Sequence, residues 1–344
     1  MAFALGSFSA AGCPPFPAII VDGRVVSLHA ASGRALGGTR SMHALLESWE
    51  HDRPLIEEVA EALAHARTPE PGACALSVEA LSVRAPAPAP RHIYCTDANY
   101  GNQVASPAGT PYFFLKAQSS VTGPYDPIRL PADATEPAWE LQLAVVIGRA
   151  ARHVSREQAV EHVAGYTVAN DITRRELLNR GVNDGRAMGL NWLLAKCSPT
   201  FLPLGPYLVP AGCIGDPQDL RMRVSLNDEV VQEESTAGML FGVSRLIEHL
   251  STVVLLQPGD LILTGSGPGG GAHSGASCVR AMCSRARSSG SARSTTAVSK
   301  NDGEGEPISR DSVARGVDAA RDVFQDAAQP CPAGVLVEVP VPLH

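Results

Sequence analysis

Apolar residues along this chain come mostly in short runs, and their spacing predicts more strands than helices. In AIIVDGRVVSL (residues 18–28) two β-branched runs flank Asp22-Gly23, a pair that tolerates the positive φ angles of a two-residue turn, so a hairpin is expected. Two helices should follow. Ser41 is placed to cap one carrying Leu45, Leu46 and Trp49, and Asp52 ahead of Pro54 to start another with Leu55, Ile56, Val59 and Leu63 on one face. APAPAPR at 85–91 cannot continue a helix or a central strand, and a domain boundary is expected there. It separates a small N-terminal domain over 1–88 from a larger one over 89–275.

Past that boundary the runs YFFLK, WELQLAVVIG, YTVAND and GDLILTG read as strands, and RMRVSL pairs with EVVQ across Asn227-Asp228. Two helical patterns interrupt them. Ser155 with Gln158 forms a capping box ahead of Ala159, Val160 and Val163, while Met239, Leu240, Val243, Leu246, Ile247 and Leu250 recur at helical spacing.

Composition narrows the function. At 344 residues and 44% hydrophobic, the chain can bury a full core. Its net charge of -7, with no basic stripe before residue 275, argues against a nucleic-acid or anionic-membrane surface and for a small-molecule partner. No apolar run approaches the roughly 20 residues of a membrane helix, and MAFALGSFSAAG lacks the basic start of a signal peptide, so a cytoplasmic location is expected. The eight cysteines show no metal-ligand spacing and read as free thiols. Lysine occurs only at 116, 196 and 300, so each one stands out.

The strings NYGNQ, PYFFLKAQSSVTGPYDPI, WELQLAVVIGRA, AGYTVANDITRRE, LLAKCSPTFLPLGPYLV and LQPGDLILTGSG occur in the order seen in the fumarylacetoacetate hydrolase superfamily, over about residues 91–275. The chain therefore resembles that superfamily, including its 2-keto-4-pentenoate hydratase and 2-hydroxyhepta-2,4-diene-1,7-dioate isomerase types. The resemblance implies a strand-rich α+β fold, a mixed β-sandwich roll with a small α+β N-terminal domain. It further implies a homodimer that binds Mg²⁺ or Mn²⁺ and acts on a 2-oxo acid or 1,3-diketone.

Spacing supports a metal site at the matching positions. Residues 140 and 142 share one face of a strand because side chains alternate, and with Asp171 in the VAND turn they make an all-oxygen set suited to a hard cation. The family pattern is Glu-x-Glu plus Asp. Here the second Glu is Gln142, whose amide oxygen is expected to coordinate with one negative charge fewer. Lys196 matches the family lysine that stabilises an enolate. Tyr100, Lys116, Arg175, Gln232 and Ser266 match positions near the ligand. Read without the resemblance, Glu140 is a solvated strand residue, Asp171 a turn former and Lys196 a surface lysine, and for Lys116, Arg175, Gln232 and Ser266 a structural role is the first expectation.

Other positions depart from the family. The His-Glu pair that follows NY is replaced by Gln103 and Ser106; Gln103 can orient water but has no proton to exchange near neutral pH. The Asp of KSFDTF becomes Pro199. After residue 275 the family segment of the type RFLxPGDxxEGxIxGLGTQ is missing. One back-translation of Ser277–Thr296, started one base early, regroups to FVRPGDVLEGEIERLGTQHN, which suggests a frameshift and leaves 276–344 as a poorly packed or disordered tail. The reading that follows is a divalent-metal-dependent hydrolase of a carbon–carbon bond in a small acylpyruvate-like 2-oxo or 1,3-dioxo carboxylate, as in aromatic catabolism. The alternatives are an isomerase, decarboxylase or hydratase on a related acid, and a catalytically impaired relative acting as a ligand-binding or dimerising module.

Overall fold

The computed structural model describes residues 2–10, 13–32, 36, 41–65, 81–101, 109–178, 190–226, 229–267, 298–300 and 335–341. The expected hairpin is β2 (Phe16–Val21) and β3 (Arg24–Ser27), joined through Asp22 at φ 48° and Gly23 at φ 73°, as a two-residue turn requires. With β1 (Ala4–Ala10) and β4 (Leu81–Arg84) they form an antiparallel sheet in the order β3-β2-β1-β4.

A second, six-stranded sheet holds β5 (Ile93–Asp97), β6 (Tyr112–Lys116), β7 (Leu141–Ile147), β8 (Val163–Asn170), β9 (Val209–Pro210) and β12 (Leu261–Leu263). Its order is β9-β8-β7-β12-β5-β6, antiparallel except where β12 runs parallel to β5, so the sheet is mixed. Alternation along β7 explains its place in the middle. Ala144 and Val146 join a core shared with Leu5, Ile19, Trp49 and Ile56, whereas Leu141, Leu143, Val145 and Ile147 pack with Leu246, Ile247 and Leu250 on the other side. Both faces of the strand are therefore buried, and each large side chain contributes about 1.5–3 kcal/mol. The hairpin β10 (Leu220–Leu226) and β11 (Glu229–Ser235) lies beyond, and the result is a strand-rich α+β fold with few helices.

Helices α1 (Leu28–Ala31) and α2 (Met42–Glu47) precede α3 (Trp49–His65). Ser41 caps α2 as expected, its Oγ accepting from Ala44 N at 3.2 Å. Helix α3 begins at Trp49, ahead of the expected Asp52 start, because Trp49 packs into the core against Gly148, where an added Cβ would lie 2.3 Å from its ring. Ser155 and Gln158 start no α-helix. The segment makes one 3₁₀ turn, Ala159–His162, because Val163 is already paired with Ile147 in the sheet. The last helical pattern begins at Val243 rather than Met239, as α6 (Val243–Val253), with Gln218 Oε1 accepting from Val243 N at 2.8 Å. In the tail, Val298–Lys300 pairs with Ile128–Leu130 and Val335–Val341 runs parallel to β10.

Candidate functional site

The site grows from the crossing of β7 and β8. Glu140 stands one residue ahead of β7 and Asp171 one residue past β8, and Asp171 N donates to Glu140 O at 2.8 Å, so the two carboxylates leave the sheet at the same corner. Thr173, two residues on, faces the same way. Helix α5 (Trp192–Lys196), capped by Asn191 Oδ1 accepting from Leu194 N at 3.1 Å, delivers Lys196 on its last turn, and edge strand β6 delivers Lys116 at its end.

These groups form a closed set of charges. Lys196 Nζ donates to Glu140 Oε2 at 2.8 Å, to Asp171 Oδ2 at 2.7 Å and to Thr173 Oγ1 at 2.7 Å, and Thr173 in turn donates to Glu140 Oε1 at 2.9 Å. Lys116 Nζ donates to Asp171 Oδ1 at 2.7 Å, to Ile172 O at 3.5 Å and, over a short contact, to Lys196 O. Each ammonium has its three protons engaged. Burial pushes the Asp171 carboxyl up, but Lys116 and Lys196 outweigh it and hold it below the ordinary value. Burial likewise opposes the charge on Lys196, and Asp171 and Glu140 more than restore it. Its ammonium also lies 5.6 Å from the ring centroid of Phe114 and 5.9 Å from that of Trp192.

Gln142 joins the set, but not as expected. Its Oε1 accepts from Gly265 N at 2.8 Å, and a backbone N–H can only face the oxygen, so the amide nitrogen is what turns inward, toward Asp171 Oδ2 at 3.2 Å and Glu140 Oε2 at 3.4 Å. The expected carbonyl ligand is thus an N–H donor in this arrangement. Among the described residues no three His, Cys, Asp or Glu side chains converge on one point. Glu140 and Asp171 still fit a hard divalent cation, since one or two carboxylates suffice for Mg²⁺ when water and substrate complete its shell.

Arg175 opens α4 (Arg175–Leu178), half-buried, and no hydrogen bond or ion pair joins its side chain to these groups. Gln103 and Ser106 lie outside the described residues. Tyr100, Gln232 and Ser266 meet on a neighbouring patch reached along Gly265–Gly267, where Gln232 Nε2 donates to Ser266 Oγ at 3.1 Å. Three participants were missed. Thr173 was legible, because residues 171 and 173 alternate onto one side. Asp97, at the end of β5, has its carboxyl raised by burial and then by the charge of Glu140, which shows that it borders the site. Glu234 sits beside Gly267 with its carboxyl pushed up to about 7 by burial.

The family model described as fumarylacetoacetate (FAA) hydrolase C-terminal matches residues 92–301, past the point near 275 where the strings alone break off, and this gives no support to a shift of frame there. An oxaloacetate tautomerase of Homo sapiens, described as mitochondrial, is 41% identical over 191 residues, covering 54% of this chain and 59% of its own. A 2,4-didehydro-3-deoxy-L-rhamnonate hydrolase of a Sphingomonas species is 42% identical over 161 residues, 47% of this chain and 54% of its own. The chain thus spans little more than half the length of these relatives. The solved structure of maleylpyruvate hydrolase from Sphingobium sp. SYK-6, in complex with manganese(II) and pyruvate, is 29% identical with a TM-score of 0.61, over 78% of this chain and 89% of that one. A matched segment covering well over half the chain, on a mixed sheet that brings Glu140, Asp171 and Lys196 to one corner, places this protein in the fumarylacetoacetate hydrolase family.

Proposed function

We propose that the chain is an enzyme that enolises a small 2-oxo or 1,3-dioxo carboxylate, moving a proton as a tautomerase or isomerase does. The observation that carries this reading is the buried set of Glu140, Asp171, Lys116 and Lys196, whose two negative and two positive charges already balance. Glu140 and Asp171 would hold Mg²⁺ or Mn²⁺, which supplies polarisation of the 2-oxo group. With the ion's two added charges, a bound carboxylate and a developing enolate restore neutrality. Lys196 meets the enolate by exchanging its bond to Thr173, the one neutral partner among its three and so the least costly to release. The relatives that are tautomerases support proton transfer, in which the α-proton leaves to solvent and a solvent proton replaces it, with no water needed as a nucleophile.

Hydrolysis of a carbon–carbon bond is the second reading, supported by the relatives that are hydrolases. It requires a group that positions water, a role proposed for Gln103. In either case Tyr100, Lys116, Arg175, Gln232 and Ser266 are proposed to border the substrate. A homodimer is also proposed. Leu115 and Tyr112 on edge strand β6, with Leu193 and Leu194 on α5, are large apolar side chains more than half exposed beside the site. The three-part division at 88 and 275 and the cytoplasmic location belong to the same reading; no helix among the described residues is long and apolar enough to cross a membrane.

The test is exchange of the α-protons of pyruvate and 2-oxobutanoate into D₂O, followed by NMR with Mg²⁺ or Mn²⁺ present. Exchange well above that of the metal ion alone, lost in Lys196→Met, is expected. Exchange no faster than the metal control would instead support a non-catalytic ligand-binding module.

A further inference from the structure

Past Gly265 the chain reaches a second polar patch of the opposite character. Tyr100 Oη, Gln232 Oε1 and both carboxylate oxygens of Glu234 are sealed from solvent, and none has a well-formed hydrogen bond among the described residues. Tyr100 is 2% and Gln232 3% exposed, so these are interior positions, where an unpaired polar atom costs roughly 1–3 kcal/mol. Burial is the main influence on Glu234, and the nearby Gln232 amide and Gly267 N–H pull the other way without offsetting it. Gly267 makes the patch possible, because a Cβ there would lie 2.0 Å from Glu234 Oε2 and 3.2 Å from the Tyr100 ring.

The chemistry of the unpaired atoms specifies what fits. Gln232 Oε1 and an ionised Glu234 only accept hydrogen bonds, and Tyr100 Oη can do either. A group that completes them must therefore donate. A hydroxyl does so; a second carboxylate brings acceptors only and sets like charge against Glu234. The patch also adjoins the charged set along the chain: Gly265 N holds Gln142, and Gly267, two residues on, flanks Glu234 and Tyr100.

We infer that Tyr100, Gln232 and Glu234 form a subsite for a hydroxyl group on the far end of the substrate, so that this chain selects hydroxylated 2-oxo acids over their deoxy and dicarboxylic counterparts. This rests on the proposed function for the position of the 2-oxo end. Its own claim is the discrimination at the other end.

The experiment is calorimetric titration at pH 8 with Mg²⁺ present, using 4-hydroxy-2-oxopentanoate, 2-oxopentanoate and 2-oxoglutarate. The hydroxylated acid is expected to bind on the order of tenfold or more tighter than the deoxy acid, with 2-oxoglutarate weakest. In Glu234→Met the first ratio should fall toward one, and in Tyr100→Phe it should fall part of the way. Equal binding of the first two acids by the wild-type protein, a ratio kept in both variants, or no binding of any probe overturns the subsite. Should the preference be present while α-proton exchange is absent, the proposed reaction fails and the subsite stands.

Discussion

Two buried polar groupings lie on either side of the Gly265–Gly267 segment, and they differ in how completely they are satisfied. Around Asp171 every charge has a partner and both lysines have spent all their protons. Around Glu234 several strong acceptors have no well-formed hydrogen bond among the described residues. The first arrangement supports the fold as well as any chemistry, because its bonds tie β6, α5 and the ends of β7 and β8 together. The second costs stability in the free protein, a cost that the proposed hydroxyl subsite would offset on binding.

The comparison breaks most visibly at Asp171. Asp171→Ala leaves two buried ammonium groups without their shared counter-ion, and a loss of about 3–5 kcal/mol is expected in urea unfolding. A loss below about 1 kcal/mol would mean that the charged set is not structural. Glu234→Gln should do the reverse and raise stability. Its folded value, about 7, lies above the ordinary carboxyl value of 4.5, so the folded protein keeps its proton longer than the unfolded chain. The penalty is absent below 4.5, grows between 4.5 and 7 and is complete above 7. The variant's gain in melting temperature should therefore be larger at pH 8 than at pH 5, corresponding to at most about 3 kcal/mol. An equal gain at both values would show that Glu234 is not held protonated by burial.

Gln142→Glu sharpens the contrast from the metal side. The added carboxylate faces Glu140 and Asp171, so it should lower the melting temperature without divalent ions and tighten Mg²⁺ or Mn²⁺ about tenfold or more by calorimetry. Unchanged affinity would remove residue 142 from the site. The smallest effect is expected for Asn191→Ala, which removes the cap of the helix that carries Lys196 and should cost about 1 kcal/mol in thermal unfolding.

Much of the fold was legible because its signals are local. Asp22-Gly23 carries its own turn geometry, and the alternation in WELQLAVVIG marks a strand buried on both faces. The failures have long-range causes. A capping box at Ser155 did not make an α-helix because the pairing of Val163 with Ile147 claims the chain first. The meeting of Glu140, Gln142 and Asp171 was readable from alternation and the VAND turn. The direction of the Gln142 amide was not, since it is set by the N–H of Gly265, 123 residues away. Glu234 carries no motif at all; it is defined by what fails to touch it.

The ring stack on α5 has a practical consequence. Trp192 lies face to face with Phe114, centroids 4.1 Å apart and planes within 8°, and next to the Lys196 ammonium. An indole is fluorescent, and a cation near its ring shifts and quenches that emission. Any event that moves Lys196 or changes the net charge around it should therefore register in the emission of Trp192, giving this protein a native optical reporter beside the proposed site.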